Sequence, residues 1–182
     1  MTAEGSSRLI DVLKNGGVAV VRTDTLYGVL ARADDERAVE RVYRAKHRDP
    51  KKSCIILIAE PEQAYGDVDK LSDDLRRISH AAPTSFLVAS PRAPAWLLRT
   101  DEALAYRIPA LPWLRDVIRA TGPLIAPSAN PEGEPPARTI IEAQAYFGAA
   151  VDYYHDGGEV PLDTSPSQLI RIEADGEITR LR

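Results

Sequence analysis

Residues 18–30 read Val18-Ala19-Val20-Val21-Arg22-Thr23-Asp24-Thr25-Leu26-Tyr27-Gly28-Val29-Leu30. The first four are apolar and mostly β-branched, without polar alternation, which is the pattern of a strand buried on both faces. Residues 27–30 are apolar again and either continue that strand or pair with it across the polar break Thr23-Asp24-Thr25. A strand buried on both faces needs a cover on each side, so this stretch predicts an α/β architecture.

The flanks supply the covering helices. Upstream, Leu9, Ile10 and Leu13 recur at helical spacing, and Gly16-Gly17 end a helix predicted over 7–15. Downstream, Asp34 or Asp35 offers an N-cap for a helix over 36–47, with Ala38, Val39, Val42, Tyr43 and Lys46 on one stripe. A basic loop over 46–52 then leads into an apolar strand over 54–59. Beyond it the pattern predicts helices over 73–80, 113–120 and 139–147, and strands over 85–89, 104–108, 124–126, 151–155, 168–172 and 178–181. Strands and helices alternate without a repeat or a low-complexity linker, and the 14 prolines cluster in loops as rigid turns. The expectation is one domain over 1–182, with a mixed open sheet flanked by helices.

Composition removes several function classes. The 23 Lys and Arg are outnumbered by 27 Asp and Glu, leaving a net charge of -4. A protein that coats RNA usually carries a basic surplus, because phosphate neutralisation supplies its affinity, so RNA binding is expected to be weak or absent. The longest apolar run, 54–59, is far short of the roughly 20 residues that span a bilayer. The first eight residues are polar, so a cytoplasmic location is expected. The single cysteine, Cys54, sits within Ile55-Ile56-Leu57-Ile58 and reads as a small buried hydrophobe.

The phosphate-loop pattern Gly-x-x-x-x-Gly-Lys, the dinucleotide pattern Gly-x-Gly-x-x-Gly, the zinc pattern His-Glu-x-x-His and paired cysteines are all absent from the sequence. His47, His80 and His155 have no metal-like spacing. Chemistry is left to three polar loops, 23–28, 46–52 and 127–133. Taken alone, Lys46 and Arg48 suit a helix C-terminus, where cations complement the dipole. Arg107 suits a structural ion pair, and Thr23-Asp24-Thr25 and Ser128-Ala129-Asn130 suit turns or caps.

Taken together, the loops carry four motifs in order: Thr23-Asp24-Thr25-Leu26-Tyr27-Gly28, Lys46-His47-Arg48, Arg107-Ile108-Pro109, and Ser128-Ala129-Asn130 followed by Gly133. Asp156-Gly157-Gly158, Pro166-Ser167 and Arg180 follow. In these motifs the chain resembles the YrdC/Sua5 family over nearly its whole length. The resemblance implies a twisted mixed sheet with a basic concave groove. It also implies a nucleotidyltransferase reaction, in which L-threonine, bicarbonate and ATP give threonylcarbamoyl-adenylate and pyrophosphate for modification of tRNA adenosine. Under that implication Lys46 and Arg48 are the catalytic cations at the phosphates, with Mg²⁺ on the triphosphate. Arg180 adds charge at the nucleotide, while Ser128 and Asn130 lie where nucleotide and amino acid meet. Arg107 is the planar partner of the threonine carboxylate, assisted by Ser167, and Thr23 and Tyr27 border the pocket. The implied partner is the transferase machinery that passes the threonylcarbamoyl group to tRNA.

The chain departs from the family pattern at Arg22, Asp49, Ser53, Glu132 and Gln168, and Ser85 keeps a hydroxyl where a threonine is typical. Three other functions suit similar residues: a carbamoyl-adenylate former, a nucleotide hydrolase and a non-enzymatic RNA-binding module.

Overall fold

The computed structural model describes residues 2–66, 82–99, 102–172 and 178–181. The helix expected over 73–80 and His80 lie outside the described residues. Among the described residues, nine strands form one mixed sheet: β1 (Ala19–Arg22), β2 (Tyr27–Arg32), β3 (Ile56–Leu57), β4 (Thr84–Ala89), β5 (Ala103–Arg107), β6 (Leu124–Ile125), β7 (Tyr153–His155), β8 (Gln168–Ile172) and β9 (Ile178–Arg180). Their spatial order is β7-β1-β2-β6-β3-β5-β4-β8-β9. The β1–β7, β3–β5 and β4–β8 pairs are parallel, and the other five are antiparallel. Arg22 faces Tyr27 in the β1–β2 ladder. Of the two readings of residues 27–30, the hairpin is the observed one.

Among the described residues the helices are α1 (Ala3–Lys14), α2 (Glu36–Ala45), α3 (Ala95–Leu98), α4 (Pro112–Thr121) and α5 (Ile140–Phe147). Side chains alternate along a strand, so each strand feeds two cores. Ala19, Val21, Leu30, Leu57 and Leu124 meet Leu9 and Leu13 of α1 and Leu114, Val117 and Ile118 of α4. Val20, Val29, Ile56 and Ile125 meet Val39 and Val42 of α2 and Ala143 and Phe147 of α5. This double cover explains why residues 18–21 show no polar alternation.

Boundaries differ from the sequence expectation for local reasons. Helix α1 starts four residues early because Thr2 caps it, its hydroxyl accepting the Gly5 N–H at 3.2 Å. Helix α2 is capped by Asp35, which accepts the Ala38 N–H at 3.0 Å. It stops at Ala45, and His47 then takes a left-handed φ of 49°. The apolar run 54–59 contributes only Ile56–Leu57 to the ladder, although Ala126 N–H to Ile55 and Ile58 N–H to Arg107 prolong the pairing. Helix α3 and a 3₁₀ turn at Pro61–Gln63 were not expected, because a single turn leaves no periodicity to read. Among the described residues no helix is long and apolar enough to cross a membrane.

Leu57 is fully buried at the centre of the sheet, whereas Ile141 on α5 is 73% exposed. Urea denaturation should therefore report a loss of about 2–5 kcal/mol for Leu57→Ala. Ile141→Ala should lie within about 0.5 kcal/mol of wild type. Equal losses in the two variants would contradict the core assignment.

Candidate active site

The turn between β1 and β2 is closed by its own threonines. Thr23 Oγ1 donates to the Leu26 carbonyl at 2.8 Å and accepts the Thr25 N–H at 3.2 Å. Arg107, at the end of β5, reaches into this turn. Its Nη1 donates to Thr25 Oγ1 at 2.8 Å, and its Nη2 donates to Thr23 Oγ1 at 3.4 Å and lies 3.3 Å from Asp24 Oδ1. The other Asp24 oxygen accepts the Ala110 N–H at 3.0 Å, fixing the chain as it leaves β5. Arg107 is only 5% exposed, and a buried guanidinium is tolerated where charge and acceptors are supplied together.

Two buried hydroxyls stand beside Arg107. Ser85 is one residue beyond the Phe86–Tyr106 pair of the β4–β5 ladder, which sets it across from Arg107. Ser85 Oγ and Ser167 Oγ are 2.9 Å apart. Tyr27 instead serves the Asp156-Gly157-Gly158 loop: its phenol accepts the Gly157 N–H at 3.0 Å and donates to the Gly158 carbonyl at 2.9 Å. Burial raises the Tyr27 pKa, which keeps the phenol a donor.

The second half of the site is the loop pair 46–52 and 127–134. Lys46, the C-cap of α2, is almost fully buried, and its Nζ donates to the carbonyls of Ser128 and Asn130. Arg48 folds back on its own loop, with Nη2 donating to the Ser53 carbonyl at 2.7 Å and Nε to the Lys52 carbonyl at 3.3 Å. Ser128 Oγ donates to Asn130 Oδ1 at 2.6 Å, and the Asn130 amide donates to the carbonyls of Pro131 and Glu134. Desolvation, followed by repulsion from Arg48, lowers the Lys46 amine from its ordinary 10.5 to about 8.

The two halves meet along β2. Val29 N–H donates to the Pro127 carbonyl at 2.9 Å and Ala129 N–H to the Tyr27 carbonyl at 2.8 Å, with Gly28 and Ser128 bridged between them. Ser128 and Asn130, and through them Lys46, are thereby fixed beside the strand that carries the Thr23–Arg107 cluster at its start. Arg180 is placed elsewhere. It is exposed on the outermost strand, opposite Ile170 and three strands from Arg107.

Several contributors carried no sequence signal of their own. Tyr43 had been read as one more member of an apolar helical stripe. Its phenol donates to the Lys52 carbonyl at 2.7 Å, and its ring lies under the guanidiniums of Arg99 at 3.9 Å and Arg48 at 5.8 Å. The signal available was a phenol three residues before a basic loop, a position where a donor can reach the loop carbonyls. Asp24 was read as part of a polar break and of the Thr23–Gly28 motif, with no partner, whereas it pairs with Arg107. Glu132 pairs with Lys52 and accepts the Asp49 N–H. Cys54 is buried as expected, and burial raises its thiol pKa.

The family model Sua5_yciO_yrdC, described as telomere recombination, matches residues 11–182. The chain belongs to this family. A threonylcarbamoyl-AMP synthase of Klebsiella pneumoniae subsp. pneumoniae is 35% identical over 190 residues, covering 99% of this chain and 97% of that protein. Among solved structures, a variant of P. abyssi Sua5 superposes with a TM-score of 0.89 at 25% identity, covering 100% of this chain and 57% of that one. P. abyssi Sua5 complexed with L-threonine gives a TM-score of 0.83 at 25% identity over 97% of this chain and 53% of that one. The chain thus spans a little over half the length of the P. abyssi protein. As a family member it places the four motifs on one connected set of loops at the β2–β6 seam.

Because the native state binds fewer protons than the unfolded chain between about pH 8 and 10.5 at Lys46, the cost of burying this amine is complete below about pH 8 and is relieved above it. The stability gap between wild type and Lys46→Met should therefore shift toward the wild type as pH rises from about 8 to 10.5. Urea midpoints measured across that window check this, and a gap independent of pH would place the amine in water.

Proposed function

We infer that the chain is a threonylcarbamoyl-AMP synthase, a nucleotidyltransferase that forms threonylcarbamoyl-adenylate and pyrophosphate from L-threonine, bicarbonate and ATP. The observation that carries this reading is the β2–β6 backbone seam, which sets the Lys46–Ser128–Asn130 cluster beside the Thr23–Asp24–Thr25–Arg107 cluster. One half offers cations and amide groups to a polyphosphate. The other offers a guanidinium and a ring of hydroxyls to a small hydroxy amino acid. Full-length resemblance to curated synthases supports the same reading.

The chemistry asks little of the protein beyond placement. The threonine amine takes up bicarbonate with loss of water and becomes a carbamate. A carbamate oxygen attacks the α-phosphorus of ATP, and the bond to the pyrophosphate oxygen breaks. In this reading Arg107 holds the threonine carboxylate, with Ser167 beside it and Thr23 and Tyr27 framing the side chain. Lys46 and Arg48 neutralise charge that builds on the phosphates, and Ser128 and Asn130 orient the junction. In this reading Arg180 would add charge at the nucleotide only by reaching in from the outer strand, three strands from Arg107. Mg²⁺ enters as part of the ATP complex, held by the triphosphate oxygens. The adenylate is then consumed by the transferase that modifies tRNA, which places the protein in the cytoplasm, and one domain over 1–182 carries the whole site.

The test is direct. Incubation with ATP, bicarbonate, L-threonine and Mg²⁺ should yield threonylcarbamoyl-adenylate by mass spectrometry, with pyrophosphate release dependent on threonine. Release that ignores threonine would favour the nucleotide hydrolase instead, because nothing else in the mixture supplies the nitrogen of a carbamoyl group. Arg107→Ala should raise the threonine KM by about tenfold or more while leaving the ATP KM within about twofold. An equal rise in both would remove Arg107 from the amino acid pocket.

A further inference from the structure

Glu132 sits between two loops that carry Lys46, Arg48, Lys51 and Lys52 against Asp49 and Glu134. Its two oxygens are divided between donors of the opposite loop: Oε1 pairs with Lys52 Nζ, and Oε2 accepts the Asp49 N–H. Its own backbone N–H donates to the Lys46 carbonyl at 2.7 Å. Lys46 returns the contact through Nζ to the carbonyls of Ser128 and Asn130. The loops are therefore stitched in both directions, and Glu132 supplies an anion to these cross-loop contacts. The hydrogen bond from Lys52, then the Asp49 N–H, lowers the Glu132 pKa, with Arg48 assisting. Lys52 stays half-exposed on the open side of the pair, where an incoming anion can reach it.

We propose that Glu132 is a resident counter-ion of the phosphate site: it occupies Lys52 and the Asp49 N–H when no polyphosphate is bound, and a triphosphate must displace it. This rests on reading the two loops as the triphosphate site. A single carboxylate cannot match the several charges of a triphosphate, so ATP wins the exchange, whereas an anion of one or two charges gains little by it. After the α-phosphorus has been attacked and pyrophosphate leaves, Glu132 recaptures Lys52 and lowers the affinity for the departing product. Glu132 is a positioning and affinity-setting residue in this scheme and touches no reacting atom.

The probe is inorganic tripolyphosphate, titrated calorimetrically into the full chain at several salt concentrations, with pyrophosphate and ATP as further ligands. Glu132→Gln keeps an oxygen for the Asp49 N–H but removes the charge. It should bind tripolyphosphate about 3- to 10-fold tighter than wild type, with a steeper loss of affinity as salt rises. Pyrophosphate should become a stronger product inhibitor by a similar factor. In a Lys52→Met background the same change should alter affinity by less than about 1.5-fold, because the cation it frees is gone. Glu132→Ser should move affinity in the same direction and stands in if the Gln variant does not fold. A merely structural stitch would weaken binding or leave the salt dependence unchanged, and either result overturns the inference. Wild-type protein that makes threonylcarbamoyl-adenylate but shows no change on Glu132→Gln defeats the counter-ion alone. Wild-type protein that binds no polyphosphate defeats both the counter-ion and the function on which it rests.

Discussion

The site depends on a backbone seam. Residues 27–29 pair with residues 127–129 through two hydrogen bonds of 2.8–2.9 Å, one on each side of the Gly28–Ser128 bridge. These amides lie under the core, where an unmade hydrogen bond costs about 1–3 kcal/mol, so the seam is costly to open. It joins chain segments a hundred residues apart. The turn carrying Thr23 and Thr25 is rooted at one end of β2, and the loop carrying Ser128 and Asn130 runs alongside it. Arg107 reaches the turn from β5, and Lys46 reaches the loop from the end of α2.

The second constraint is the handling of positive charge within an acidic chain. Each site cation is received by protein oxygens: Lys46 by two carbonyls, Arg48 by two more, and Arg107 by two hydroxyls and Asp24. Carbonyls satisfy donors without cancelling charge, so the local positive potential survives the folding of the loops. Preorganised charge of this kind stabilises a transition state without reorganising at the moment of reaction. Tyr43 is the common support, since its phenol holds the Lys52 carbonyl and its ring lies under Arg48 and Arg99. A net charge of -4 therefore says little about the field at the loops.

Much of the fold was legible because β1 and α2 are strongly patterned. Residues 18–21 are buried on both faces, and the α2 stripe Ala38, Val39, Val42 and Tyr43 is the stripe that packs. What was not legible has physical causes. Helix α1 owes its first turn to a cap and not to periodicity, and α3 is too short to show a period. The hairpin at residues 22–27 could not be separated from a continuous strand, because that choice is made by the Thr23 and Thr25 hydroxyls bonding within the turn. At the site, motif residues were found by type and order. The contacts that hold them were not: Asp24–Arg107 and Glu132–Lys52 join distant segments and leave no local trace, and the Tyr43 phenol was hidden in an apolar helical stripe.

Lys46 and Glu132 show how stability and chemistry divide the same loops. A methionine of similar length at position 46 would avoid the desolvation that pulls the amine down to about 8, so the cation is not there for stability. Its two carbonyl acceptors fix the Ser128 loop, but a buried neutral donor would serve that end at lower cost. What only a cation supplies is charge aimed at the space between the loops. The carboxylate of Glu132 acts against burial and Arg48, as the smallest of these influences, and raises the pH to which Lys46 keeps its proton. Burial, which concentrates the field of the amine, also works to discharge it, and the anion on the facing loop acts weakly against that loss.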